Sequence, residues 1–333
     1  MDLPLLLGLV LVFGMAMYVI MDGFDLGVGI LFPLAPSDAD RDLMMNSIAP
    51  IWDGNETWLV LVGTLLFAAF PVAYATLLPA FYLPLVVMLL GLIFRGVAFE
   101  YRFRATRFRY LWDWAFSGGS ALAGFCQGCA LGAFIDGIQV RNGVFSGGTF
   151  DFASPFTAIS GLGLVAGYAL LGATWLIFKT SGTTGDFGRK AARPALFISL
   201  AFIALISLWT PITHAQIAQR WFSWPNIGFL WPVPFVTALI AYRIWQETAG
   251  DHDARPFLLS ITLFLLAGLG LGISLWPYAV PYDITLWDAA SSDPTLKFVG
   301  VGVTVTVPVT LAYFGYAHWI FRGKITMGTG YGK

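Results

Sequence analysis

The sequence predicts an all-α integral membrane protein, and three observations carry that expectation. Of 333 residues, 58% are apolar and only 11% charged, with a mean hydropathy of +0.76; soluble domains carry about 25% charged residues. Apolar runs of the roughly 20 residues that a helix needs to cross about 30 Å of hydrocarbon recur along the whole chain. Lys and Arg gather in alternate loops between those runs, as the positive-inside rule expects of a polytopic protein.

Breaking the apolar runs at charged or Pro/Gly-rich clusters gives nine candidate spans, near 4–32, 51–72, 76–101, 111–139, 154–178, 195–213, 227–246, 257–280 and 297–321. The first begins Met1-Asp2-Leu3-Pro4, without a basic n-region or a cleavage site after it, and is expected to be retained as a span. The second and third are separated by the stretch from Pro71 to Pro79, which reads as a tight hairpin. Loops after spans one, three, five and seven, with the C-terminal tail, hold 14 of the 18 basic residues. They are Arg41; Arg102, Arg104, Arg107 and Arg109; Lys179, Arg189, Lys190 and Arg193; Arg243 and Arg255; and Arg322, Lys324 and Lys333. The opposite loops hold Arg141, Arg220 and Lys297, and Arg95 lies within span three. The asymmetry places the N-terminus outside and the C-terminus in the cytoplasm, and it requires an odd number of spans. Trp221, Trp224, Trp276, Tyr278, Tyr282 and Trp287 flank the outer ends of spans six to eight, as an aromatic belt does. Residues 1–333 read as one polytopic membrane domain with no soluble domain left over, and a net charge of −1 offers no field to nucleic acid.

Ionisable side chains inside a span cost several kcal/mol at the bilayer centre, so they face protein or a wet cavity. Here they concentrate in the first third of the chain. Asp22 and Asp25, three apart, share one face of span one; Asp53 and Glu56 have the same spacing at the start of span two. Span three carries Arg95 and, further along, Glu100; span four opens on Trp112-Asp113-Trp114. Six carboxylates with one arginine leave most negative charge unbalanced, which demands protonation, hydration or mutual hydrogen bonding. A row of such carboxylates opening to the cytoplasm suits proton uptake. An Asp25–Arg95 staple between spans one and three, with Glu100 and Asp113 in interfacial water, accounts for the same residues structurally. Gly23, Gly27 and Gly29 suit close helix packing.

The only cysteines, Cys126 and Cys129, lie in an apolar run without another soft ligand, which reads as packing and not as a metal site. Haem held within the bilayer needs axial ligands at depth. His214 and His252 fall in loops and His318 near the end of span nine, while embedded Met15, Met17 and Met88 suit apolar packing, so this chain is expected to ligate no haem.

Four motifs occur in order: Asp22-Gly23-Phe24-Asp25-Leu26-Gly27-Val28-Gly29; Asn46-Ser47-Ile48-Ala49-Pro50 leading into Trp52-Asp53-Gly54-Asn55-Glu56-Thr57-Trp58; Phe94-Arg95-Gly96-Val97-Ala98-Phe99-Glu100-Tyr101-Arg102; and Trp112-Asp113-Trp114. Together they resemble subunit II of the cytochrome bd ubiquinol oxidases, and the short length and loops resemble the cyanide-insensitive branch. The resemblance implies nine helices in two four-helix bundles plus one peripheral helix. It implies packing against a subunit I that holds two b haems, haem d and the quinol site. The complex would oxidise quinol, reduce dioxygen to water and take protons from the cytoplasm without pumping, in a bacterial cytoplasmic membrane. Subunit II would then be an accessory chain with no catalytic residues of its own. Small accessory subunits and a structural quinone or lipid also fit the family pattern. On the same resemblance Asp53 falls at a proton-route carboxylate, Asp25, Arg95 and Asp113 at positions needed for assembly or haem environment, and Trp58 at the constriction of a dioxygen tunnel. Gly96 follows Arg95 where some relatives have Pro, and Glu56 stands where some have Gln. A proton-coupled transporter would use the same carboxylates, but it calls for inverted repeats and a polar site at mid-bilayer, and no internal repeat is visible.

Overall fold

The computed structural model describes residues 2–250 and 252–326. Met1 of the expected N-terminal span and Lys333 of the basic tail lie outside them. The first span is helix α1 (Leu3–Leu31), N-capped by the Asp2 side chain on the Leu5 amide and extended by a 3₁₀ turn at Phe32–Leu34. Ser37 then caps a polar helix, α2 (Asp38–Ile48), whose first turn carries Asp38 and Asp40, where a helix dipole favours negative charge.

Helices α3 (Trp52–Ala69), α4 (Pro71–Ala80) and α5 (Tyr82–Arg104) correct the expected hairpin. The stretch from Pro71 is a ten-residue helix, because Pro71 stands at its first position, where proline's missing N–H costs nothing, and the following residues carry no turn signal. Helix α6 (Arg109–Asp136) leads into a hairpin of β1 (Val140–Arg141) and β2 (Val144–Phe145). Asn142 and Gly143 close it with positive φ at both positions (52° and 74°), the pair that a tight two-residue turn requires.

Ser154 and Thr157 form a reciprocal capping box at the start of α7 (Pro155–Lys179). Helix α8 (Gly182–Thr213) begins well before the expected 195, so Arg189, Lys190 and Arg193 ride on its first turns and not in a loop. Pro194 sits within that helix without ending it. Short helices α9 (Ala215–Phe222) and α10 (Asn226–Leu230) precede α11 (Pro232–Glu247) and α12 (Ala254–Leu275). A second hairpin, β3 (Tyr278–Val280) with β4 (Ile284–Thr285), leads to α13 (Asp293–Ile320).

Among the described residues eight helical segments are long and apolar enough to cross a membrane. The remaining candidate, 51–72, is α3, whose polar first turn holds Asp53 and Glu56; its 18 residues reach about 27 Å, close to the hydrocarbon thickness. Helix α1 packs on α3, α6 and α7; α5 on α6; α7 on α6, α8 and α12; α11 on α12; and α13 on α3. The largest apolar cluster runs through these contacts from Phe24 and Met44 to Trp175 and Leu263. Gly27 is needed there: a Cβ would overlap the Tyr168 carbonyl and the Gly172 amide of α7, so α1 and α7 meet backbone to backbone. Many large apolar side chains on α8, α11 and α13 face outward, as lipid-facing or partner-facing surfaces do.

Candidate functional site

Period 3.6 puts Tyr18, Asp22 and Asp25 on one face of α1, and the fold turns that face inward. Asp22 and Asp25 are 1% and 0% exposed. Arg95 of α5, itself fully buried, reaches across to Asp22 at 2.6 Å and to Glu56 of α3 at 2.6 Å. The Trp52 ring lies 5.9 Å from the same guanidinium. The expected Asp25–Arg95 staple is therefore an Asp22–Arg95–Glu56 triad. Asp25, three residues further along α1, takes its hydrogen bond from Asn55 Nδ2 at 2.7 Å, and that amide also donates to the Met21 carbonyl. Asp25 Oδ1 and Asp22 Oδ2 have no protein partner among the described residues.

The other expected members stand apart. Asp53 lies on the exposed face of α3, one turn before Glu56. Glu100 is exposed and pairs with Arg104 along the surface of α5. Asp113 joins a second cluster, where buried Arg102 donates through Nε to Asp113 and through Nη1 to Asp42, each at 2.5 Å. Arg109 also contacts Asp42, and the Phe32 ring lies 5.0 Å from the Arg102 guanidinium. Arg102 is seven residues, about 10 Å, beyond Arg95 on α5, so the two arginines stack on one helix face at two levels. The second cluster ties α2, α5 and α6 together.

Sequence reasoning missed Asn55, Asp42 and Arg102 as pair members, and it missed a third polar group altogether. Gln127 of α6 donates to the Tyr18 hydroxyl at 2.7 Å and accepts from the Tyr168 hydroxyl of α7 at 2.6 Å. Hydrogen bonds between membrane helices average about 0.6 kcal/mol, so this group adds more to orientation than to stability. The signal for Arg102 was its i+7 spacing from Arg95, and for Tyr18 its i−4 spacing from Asp22. Gln127 stood out only as a lone amide between two cysteines. Those cysteines are free and buried, and among the described residues no group of three His, Cys, Asp or Glu side chains is arranged to hold a metal ion.

Trp58 is fully buried, ringed by Tyr18, Phe13 and Phe314, with its indole N–H unpaired among the described residues. A cavity of about 100 Å³ lies at the far end of α6 beside Asp136, Asp151 and Phe145. The 28 residues of α6 put some 40 Å between that cavity and Arg109. That cavity is therefore separate from the charged clusters.

Residues 3–321 match the sequence model of a family described as cytochrome bd terminal oxidase subunit II. The chain belongs to that family. Subunit 2 of the cytochrome bd-I ubiquinol oxidase of Escherichia coli K12 is 30% identical, over 93% of this chain and 91% of that one. Subunit 2 of the cytochrome bd ubiquinol oxidase of Bacillus subtilis 168 is 27% identical, with 92% of each covered. A chain in the solved structure of the bd oxidase from Geobacillus thermodenitrificans shares the fold, with a TM-score of 0.77 at 16% identity over 96% of this chain and 99% of that one. As a subunit II, the chain is a multi-pass membrane component of a respiratory quinol oxidase and functions in a complex with subunit I. The Asp22–Arg95–Glu56 triad and the Asp25–Asn55 pair thus sit inside subunit II of a terminal quinol oxidase.

Proposed function

We propose that this chain is the haem-free accessory subunit of its oxidase and supplies part of the route by which protons for oxygen reduction enter from the cytoplasm. The observation that carries this reading is the graded burial of four carboxylates. Asp53 is exposed, the Glu56 side chain one turn on is 28% exposed, and Asp22 and Asp25 are 1% and 0% exposed. Charge thus steps inward from the surface, with a single fixed cation, Arg95, at the middle of the row. One guanidinium cannot neutralise all of them, so some members must hold a proton, bind water or take hydrogen bonds, and a row of such groups suits proton uptake. Asp53 is the surface collector, Glu56 the first inward step, and Asp22 and Asp25 the buried sites. Asp113 and Arg102 hold α2, α5 and α6 in place, and Glu100 is a surface residue.

In this reading the end that bears α2 and the cluster Arg102, Arg104, Arg107 and Arg109 faces the cytoplasm, with the N-terminus outside and the membrane that of a bacterial cell. The bundle divides into α1, α3, α5 and α6 against α7, α8, α11 and α12, with α13 peripheral. Subunit I holds two b haems and haem d and carries out quinol oxidation without pumping. The packed rings at Trp58 narrow an apolar passage for dioxygen. Small further subunits and a bound quinone or lipid complete the assembly.

Two measurements test this. Purification through a tag on this chain should bring down haem b and haem d absorption together with quinol-dependent oxygen uptake, whereas the chain expressed alone should be colourless. Asp53→Asn, at an exposed side chain with no hydrogen-bond or ion-pair partner among the described residues, should leave haem content unchanged and stability within about 0.5 kcal/mol of wild type while slowing proton uptake during oxygen reduction. Wild-type uptake in a fully assembled Asp53→Asn complex would remove that residue from the route.

A further inference from the structure

Between α3 and α13, near the α2–α3 junction, lies a cleft of about 10 Å³ lined by Pro50, Gly54, Asn55, Phe314, Ala317 and His318. Two buried polar atoms of its wall lack a partner among the described residues, Asn55 Oδ1 and His318 Nε2. Asn55 is 0% exposed. Its Nδ2 is committed to Asp25 and to the Met21 carbonyl, which leaves Oδ1 for the cleft. His318 Nδ1 lies 3.0 Å from the Phe314 carbonyl. A carbonyl only accepts, so in the neutral ring Nδ1 carries the hydrogen and Nε2 presents a lone pair. The ring is held in place by stacking on Phe314, 6.2 Å away at 22°.

We infer that the α3–α13 cleft is a built water site, held by His318 Nε2 and Asn55 Oδ1, that allows Asp25 to change protonation, and that His318 is its positioning residue. Two unpartnered acceptors on the wall of a space near the lower limit for one water are what such a site requires. The water donates one O–H to His318 Nε2 and the other to Asn55 Oδ1, so neither atom is stranded. Its second role follows from its being an acceptor as well as a donor. When Asp25 is ionised, the Asn55 amide points Nδ2 at it. When Asp25 gains a proton, its new O–H donates to Oδ1 of a flipped amide, whose Nδ2 then donates to the water. In either state the Asn55 amide and His318 Nε2 keep a partner, and the flip gives up only the longer Nδ2 bond to the Met21 carbonyl. The water and His318 therefore remove a barrier to loading and unloading Asp25.

This inference rests on the proton-uptake reading, and the experiment separates the two. The intact oxidase would be prepared with His318→Phe, His318→Gln, Gly54→Ala and Asp53→Asn, each checked for wild-type haem content, and proton uptake would be followed with a pH dye after flash-initiated oxygen reduction. High-resolution cryo-EM maps would show whether density for a water joins His318 and Asn55. His318→Phe keeps the ring and removes its nitrogens, and it should abolish the density and slow uptake by about tenfold, equivalent to 1.4 kcal/mol. His318→Gln restores an acceptor and should recover most of the rate. Gly54→Ala places a methyl 3.7 Å from Phe314 and Tyr313, without overlap. It should fill the cleft and reproduce the His318→Phe defect while leaving His318 in place. Unchanged uptake in His318→Phe and Gly54→Ala, with Asp53→Asn slowed, would overturn this inference alone. Unchanged uptake in all three would overturn the uptake reading with it.

Discussion

Replacing Arg95 by Met would test whether the triad is a true buried ion pair. The guanidinium is fully enclosed and bonds Asp22, itself 1% exposed, and Glu56, whose side chain is 28% exposed, each at 2.6 Å. Met fills a similar volume but leaves Asp22 with a buried, unbalanced charge. Deleting one partner of such a pair costs about 3–5 kcal/mol, because the orphaned carboxylate must ionise in an apolar site or take up a proton. The Glu56 contact contributes little beyond this, since a partly hydrated carboxylate loses less when its partner goes. Adding Asp22→Asn to the Arg95→Met background removes the stranded charge, so the double variant should recover about 1–3 kcal/mol relative to Arg95→Met alone. Thermal inactivation of the purified complex, followed as loss of haem absorbance and of soluble assembled protein, reads both steps. An Arg95→Met complex that inactivates at the wild-type temperature, or a double variant no more stable than the single, would refute the assignment of Arg95 as the balancing charge of Asp22.

Gly27→Ala should lower stability by at least about 1–3 kcal/mol, the usual cost of overpacking, because the added methyl meets α7 backbone that has no side chain to yield; the yield of assembled complex and its inactivation temperature measure it, while Gly63→Ala, with open space around the new methyl, serves as the neutral control. Asp40 of α2 accepts hydrogen bonds from Ser37, Thr183 and Thr184. Burial pushes its carboxyl up, but those bonds outweigh burial and hold it below the ordinary value of 3.8. A depressed carboxyl favours the folded state at every pH above that ordinary value, and its contribution falls away as pH drops through the lower, folded-state value. Asp40→Asn should therefore destabilise the protein at neutral pH and flatten the acid limb of its stability profile below about pH 4; an acid limb unchanged in slope would show that Asp40 does not contribute to it.

The membrane class, the span positions to within a turn or two for most helices, and the concentration of charge in the first third were legible in the sequence because each depends on local composition. Twenty apolar residues in a row need a bilayer wherever they fold, and a carboxylate inside such a run needs a partner whatever that partner is. The motifs around Asp22, Asp53, Arg95 and Asp113 likewise carried the family, since a family resemblance is written in consecutive residues. Less was legible at the turns. Pro71 reads equally as the start of a helix and as a breaker, and only the packed chain shows α4 continuing from it. Which acid meets which base was decided by tertiary structure alone. Asp22 and Asp25 are one helical turn apart on one face of α1, and either could face a single arginine as far as spacing tells. Helix α5 packs on α6 and α6 on α1, and the height of α5 in that arrangement brings Arg95 level with Asp22 and leaves Asp25 to Asn55. The same placement of α5 separates Arg102 into its own cluster, and the packing of α6 against α1 and α7 brings Gln127 between two tyrosines 41 and 109 residues away. Helix periodicity fixes which face a side chain occupies; only the relative slide of neighbouring helices fixes what it touches.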